Sequence, residues 1–443
     1  MTVSQISSGD QQRALWLSTI SFTVCFAVWT IFSIIGVQIK GELGLSDTQF
    51  GLLVGTPILT GSIIRLMLGI WTDQYGGRIV FTLVMLSASL ATFLLTFAYD
   101  YPTFLLAALG VGIAGGSFAV GIAYTSKWFP KEKQGTALGI FGAGNVGAAV
   151  TKFLAPVIMV AAGWKMVAIV WAIALAVMAV IFFITTKDDP DLAARRASGV
   201  KPEPMRAMLV PLKNLQVWRF SLYYFFVFGG FVALALWLPR YYVGVYGLDI
   251  VTAGLLGAAY SIPGSVFRIL GGTLSDKVGA RKVMYWTFIG SVVCTFLLSY
   301  PSTHYTVDGI KGPIEFTIAL GFIPFTMLTF ALGFFMSLGK AAVYKHIPVY
   351  YPGRVGSVGG VVGLIGGLGG FVLPIAFGAL NDYVGVWTSC FMLLFVIVAA
   401  SLLWMHAAIL RMNRLEHPEL AGPKDFPSHD VLGPVLPAAP AHR

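Results

Sequence analysis

Long apolar runs alternate with short polar breaks along most of the chain. A helix that crosses a bilayer needs about 20 mostly apolar residues, and twelve runs meet that length: 14–39, 49–71, 79–99, 103–126, 135–161, 164–185, 218–244, 252–274, 282–300, 316–340, 355–380 and 386–410. One long polar break, 186–217, divides them six and six. It holds ten charged residues from Lys187 to Lys213, together with Pro190, Pro202 and Pro204. The pattern predicts an all-α membrane protein of twelve transmembrane helices in two six-helix bundles, 14–185 and 218–410. A cytoplasmic linker at 186–217 joins them, and a Pro-rich polar tail, 411–443, follows.

Composition supports this and narrows it. Hydrophobic residues make up 57% of the 443 and charged residues 11%, with a mean hydropathy of +0.81. Soluble domains carry roughly 25% charged residues, so a water-soluble enzyme is a poor reading, and disordered chains are poor in apolar residues. The net charge of +10 would suggest nucleic acid in a soluble protein. Here it follows membrane topology. With both termini inside, the inner segments hold 21 Lys and Arg, the outer segments four, and the spans four. The positive-inside bias therefore places both termini in the cytoplasm and removes the need for a nucleic-acid partner. Cys25, Cys294 and Cys390 sit in apolar runs with no paired spacing, and the six His lie in loops, helix ends or the tail. Neither a disulfide framework nor a metal site is expected. The polar start, Met1 to Arg13, is short and shows no cleavage site, so the first run reads as a retained span.

The halves repeat one another. Gly61–Arg78 (GSIIRLMLGIWTDQYGGR) aligns with Gly264–Arg281 (GSVFRILGGTLSDKVGAR) at an offset of 203 residues, with seven of eighteen positions identical. A second alignment, at an offset of 223, pairs 108–150 with 331–373. Repeated halves with a site between them are a transporter plan.

Four cations fall inside spans (Arg65, Lys152, Arg268 and Lys340), and every acidic residue can be placed in a loop, the linker or a tail. An arginine at a span centre costs roughly 2.5–3.5 kcal/mol on insertion scales and is functional by default. Arg65 precedes Asp73 by eight residues, as Arg268 precedes Asp276. Eight helical residues rise about 12 Å, which reaches close to the midplane of a core about 30 Å thick. Two guanidiniums at one depth in opposing halves, without a carboxylate, call for an anion. The planar fork of arginine suits a flat oxyanion in two-point contact.

The pattern G-x-x-x-D-x-x-G-x-R occurs after the second span of each half, at Gly69, Asp73, Gly76 and Arg78 and again at Gly272, Asp276, Gly279 and Arg281. It resembles the loop motif of the major facilitator superfamily, where these residues gate the cytoplasmic side. Spans five and eleven carry GTALGIFGAGNVGAA (Gly135–Ala149) and GSVGGVVGLIGGLGGF (Gly356–Phe371). Small residues at such spacing pack helices closely in lipid. Together with one arginine in each of spans two and eight, these stretches resemble the paired signature helices of the nitrate/nitrite porter family, over about 14–410.

That resemblance implies a major facilitator fold that binds nitrate or nitrite between Arg65 and Arg268, with aromatic rings sandwiching the anion. Asn145 matches the signature asparagine, Phe118 the aromatic of span four, and Tyr224 and Phe228 the pair of span seven, with Tyr223 as a competitor one residue away. Asp73, Arg78, Asp276 and Arg281 take the gating role. Ala148 and Ala149 depart from the family, where glycines are common. The expected protein is a multi-pass secondary transporter of the inner (plasma) membrane, monomeric, without a cofactor and not an enzyme. A transporter for another small anion and a membrane sensor are the competing readings, and the sensor lacks an output domain. On coupling, two unpaired cations in an empty site resist occlusion, which favours exchange of nitrate for nitrite. Lys152, seven residues after Asn145 on one helix face, and Lys340, one residue from the repeat counterpart of Phe118, favour the opposite reading, because a buried lysine can carry a proton. They tip the expectation toward nitrate–proton symport.

Overall fold

The structure is a computed structural model that describes residues 7–190, 192, 210–351 and 355–411. Most of the 186–217 linker and the tail beyond 411 lie outside the described residues. Eleven helices there are long and apolar enough to cross a membrane: Ser8–Leu43, Asp47–Tyr75, Gly77–Phe97, Tyr101–Trp128, Thr136–Ala162, Trp164–Thr185, Leu215–Tyr246, Ile250–Val278, Phe322–Ile347, Val358–Val384 and Ser389–Arg411. Ala280–Leu298, whose head carries Arg281 and Lys282, fills the ninth place and completes the twelve.

Local chemistry sets the repeated ends. The second span begins at Ser46, whose hydroxyl accepts the Gln49 N–H at 3.1 Å while the Gln49 side chain accepts the Ser46 N–H at 2.9 Å, a reciprocal cap. It ends at Gly76 with φ 92°, and its repeat counterpart ends at Gly279 with φ 91°. Only glycine takes that backbone shape at no steric cost, so both motif glycines are turn residues.

One expected boundary is wrong. The tenth span was placed at 316–340, but 316–318 belong to a β-hairpin. β1 (Thr303–Gly309) pairs antiparallel with β2 (Gly312–Ile318), Thr303 opposite Ile318 and Gly309 opposite Gly312. The helix starts at Phe322 and runs to Tyr350. IEFTI is apolar enough to extend a span by composition, but it has a strand partner, and pairing satisfies its backbone.

The halves meet most closely through the second and eleventh spans. A methyl group on Gly51 would lie 2.2 Å from the Pro374 carbonyl oxygen, and one on Gly55 2.8 Å from that of Phe371. The fifth and eighth spans meet likewise: a methyl group on Gly254 would lie 2.5 Å from the Lys152 carbonyl oxygen. Small residues let backbones approach this far.

The two ends of the bundle differ. At the hairpin end, charge ties the halves together. The Asp47 carboxylate accepts from Arg240 Nη2 at 3.3 Å and Asn381 Nδ2 at 3.1 Å. Asp382 accepts the N–H groups of Asp47 and Thr48 at 3.0 and 2.7 Å, so an acid from one half caps a helix of the other. At the linker end, Lys127–Asp73, Lys127–Asp189 and Arg78–Asp188 pair within the first half, and Lys345–Asp276 within the second.

Candidate substrate site between the two halves

Arg65 and Arg268 are both buried, each with 7% exposure. Their guanidinium carbons lie 5.2 and 5.6 Å from the centroid of one ring, Phe118. Arg65 also lies 5.4 Å from the Trp29 ring and 5.5 Å from Phe228, and its Nε donates to the Gly115 carbonyl at 3.3 Å. Nη1 of each arginine is buried without a hydrogen-bond partner.

Each arginine reaches the glycine helix of the opposite half. A methyl group on Gly142, in span five, would lie 3.0 Å from Arg268 Nε. One on Gly367, in span eleven, would lie 2.4 Å from Ser62 Oγ and 3.4 Å from Arg65 Nη1. The glycine stretches thus serve two ends, close packing of the halves and room for the guanidiniums.

The other expected site residues converge here. Phe118 and Phe228 stand nearly parallel, 24° apart with centroids at 6.4 Å. Tyr224 stacks on Phe228 at 5.1 Å and 6°. Tyr223 turns away onto Phe288 at 5.3 Å. Asn145 is fully buried, and neither its amide nitrogen nor its oxygen has a partner. The helix is irregular at these points. Asn145 lies in a 3₁₀ turn, Ala143–Val146, and Phe228 in a π-helical stretch, Phe225–Gly230. Such departures from the α-helix cluster at functional sites.

Sequence reasoning missed Trp29 and Tyr344. The Trp29 indole donates to the Pro57 carbonyl at 2.8 Å. The Tyr344 ring meets Tyr224 edge-on at 4.9 Å, and its hydroxyl donates to the Gly359 carbonyl at 3.2 Å. Neither stands in a motif; an aromatic inside an apolar span reads as packing unless its polar tip is seen to find a partner.

Both intramembrane lysines are fully buried, which excludes snorkelling to an interface. Lys152 Nζ donates to Ser261 Oγ at 2.9 Å, a bond from the fifth to the eighth span and so between halves, and to the Ala148 carbonyl at 3.2 Å. Lys340 Nζ lies 3.3 Å from the Phe231 ring centroid and donates to the Gly264 carbonyl. No carboxylate joins them. Among the described residues, Asp189 is the buried acid, and it sits at the linker end, where it accepts the Gly77 N–H at 2.9 Å and Lys127 Nζ at 3.1 Å.

The four motif residues lie apart from this centre, at the linker end. Asp73 pairs with Lys127 at 2.8 Å and Asp276 with Lys345 at 2.6 Å. Arg78 donates to the Phe183 carbonyl at 2.7 and 3.0 Å, and Arg281 is 8% exposed beside His346 and Tyr350.

A two-fold arrangement of six-helix halves around such a centre defines a secondary transporter. The chain matches the Major Facilitator Superfamily over residues 17–310. It is 45% identical over 423 residues to the "Probable nitrate/nitrite antiporter NarK1" of Thermus thermophilus, covering 92% of this chain and 94% of that one. It is 31% identical over 399 residues to the "Nitrite extrusion protein" of Bacillus subtilis (89% and 95% covered), and 31% identical over 381 to the "Probable nitrate transporter NarT" of Staphylococcus haemolyticus (86% and 92% covered). Among solved structures, a bacterial homolog of the human lysosomal transporter Spinster, inward-facing and occupied, superposes with a TM-score of 0.64 at 16% identity, covering 91% of this chain and 98% of that one. That likeness shows the fold. The chain is a membrane transporter rather than an enzyme, and it belongs to the nitrate/nitrite porter family of the major facilitator superfamily.

Proposed function

We propose that this chain carries nitrate and nitrite across the cytoplasmic membrane by alternating access, holding the anion between Arg65 and Arg268. One observation carries this reading: guanidiniums from opposite halves flank one aromatic ring, each with a buried, unpartnered Nη1 and no acid beside it. A bound anion supplies the missing charge and acceptors, and it does so from both halves at once, which couples binding to their closure. The similar proteins named for nitrate or nitrite transport point to the same substrates.

Shape supports a flat ion. Carbon atoms in contact stand about 3.5 Å apart, so a planar ion between two rings needs about 7 Å. Phe118 and Phe228 stand at 6.4 Å, and a small separation admits nitrate or nitrite. A carbon chain needs more. Asn145, buried with both amide atoms unpartnered, has a donor to offer an anion. Charge ties the halves at the hairpin end, and the Lys and Arg bias makes the linker end cytoplasmic. Asp73, Arg78, Asp276 and Arg281 then sit at the gate that closes when the transporter turns outward. The site is complete within one chain, which makes a monomer sufficient.

For coupling, proton symport is the reading favoured here. Arginine does not give up its proton, whereas Lys152 and Lys340 are buried among neutral acceptors and can. Lys340 donates to the Gly264 carbonyl, one helical turn before Arg268, so a proton there and an anion on Arg268 attract. Nitrate/nitrite exchange is the second reading, favoured by the name of the 45% identical relative. Reconstituted vesicles separate them. Nitrate uptake that makes the bath alkaline without internal nitrite supports symport; uptake that requires internal nitrite and moves no protons supports exchange. No movement of either anion sinks both.

A further inference from the structure

The eighth span is not one helix. It runs from Ile250 to Val266, breaks at Phe267 and restarts at Arg268. In an unbroken helix the Gly264 carbonyl accepts the Arg268 N–H, four residues on. Here that carbonyl accepts Lys340 Nζ from the tenth span. A side chain inserted into the ladder is a recognised cause of a helix break. Pro263 does not account for it, since the bond a proline removes is its own, to residue 259.

The other half serves as an internal control. At the offset that pairs 108–150 with 331–373, Ser117 stands in the place of Lys340, and its hydroxyl bonds locally to the Ala114 carbonyl at 2.6 Å. The second span, which carries Arg65, is continuous from Asp47 to Tyr75 even though it contains Pro57. The half with a serine has an intact helix, and the half with a lysine has a broken one at the residue before its arginine.

We infer that Lys340 is a positioning residue for Arg268: its ammonium draws the Gly264 carbonyl out of the helix ladder and so maintains the break that aims the guanidinium at the site. This rests on the transport reading for its purpose but not for its geometry. A protonated Lys340 donates strongly to a carbonyl, and with its proton lost the bond weakens and the Arg268 N–H can recover the acceptor. Lys340 then acts on anion binding through the backbone of its neighbour. The titratable or charged groups around it among the described residues are Arg268, Tyr260, whose hydroxyl donates to the Phe231 carbonyl behind the ring that Lys340 faces, and Tyr344, one turn further along its own helix.

Two measurements on the full chain, wild type beside Lys340→Met and Lys340→Arg, test this. In nitrate/nitrite counterflow, which needs no proton movement, Lys340→Met should raise the half-saturating nitrate concentration about tenfold, and Lys340→Arg, which keeps a charged donor, should stay within about threefold. By hydrogen exchange, the backbone across 264–270 should be slower in Lys340→Met, as the helix closes, and unchanged in Lys340→Arg. Should Lys340→Met keep wild-type counterflow affinity and wild-type exchange, losing only proton-driven uptake, Lys340 carries a proton without positioning Arg268, and the inference falls. A wild-type protein without counterflow contradicts the transport reading instead, and the exchange comparison still decides this one.

Discussion

The two halves present the same residue at the same depth and hold it by different means. Arg65 sits in a continuous helix, among the rings of Trp29, Phe118 and Phe228, with its Nε on the Gly115 carbonyl. Arg268 opens a new helix at a break, faces Phe118 across the interface, and has Lys340 on the carbonyl it would otherwise use. A duplicated unit has thus kept a buried arginine and altered its support. On the reading proposed above, one half supplies a fixed wall, and the other a guanidinium whose aim depends on Lys340. At the linker end the motif acids match, Asp73 on Lys127 and Asp276 on Lys345, exposed at 60% and 62%, whereas Asp189 is buried and links Lys127 to the head of the third span.

Substitutions can break this comparison. The largest effect is expected at the arginines. Arg65→Lys and Arg268→Lys each lose the planar fork and should reduce nitrate uptake by about a hundredfold or more with the fold retained; uptake at wild-type rates in either would remove that residue from the site. Next is Asp189→Ala, which leaves the Gly77 N–H and Lys127 without a buried acceptor. Loss of one partner from such a pair costs about 3–5 kcal/mol, readable as a lowered Tm in detergent. Smaller effects belong to the glycines facing the arginines. Gly142→Ala and Gly367→Ala should each lower nitrate affinity by about tenfold through displaced guanidiniums, with Gly367→Ala the worse because its methyl meets Ser62 at 2.4 Å. Equal, wild-type affinity in both variants would mean that the arginines need no such room. The smallest is Asp276→Ala, where an exposed pair is worth about 0–1 kcal/mol. A loss as large as that of Asp189→Ala would erase the contrast between the two linker-end networks.

Much of this was legible in the sequence because lipid makes strict demands. A span must be long and apolar, so twelve runs gave twelve helices. An arginine there is costly, so two of them in register within a repeat mark a candidate site. The family resemblance points to Phe118, Tyr224 and Phe228, whose rings stand together. What stayed hidden depends on partners rather than on local pattern. The strand Gly312–Ile318 looks like a helix start until Thr303–Gly309 is beside it. The break at Phe267 has no local signal, and the Lys340 ammonium that bonds the Gly264 carbonyl sits on another helix. Trp29 and Tyr344 belong to the site through distances that no periodicity encodes, and Lys152 reveals itself as a bridge between halves only through Ser261.

Binding of nitrate to the purified protein, followed by titration calorimetry, tests the central claim most directly. The account predicts one nitrate per chain in the wild type and no measurable binding once either Arg65 or Arg268 is replaced by lysine. Undiminished affinity in either variant would contradict it.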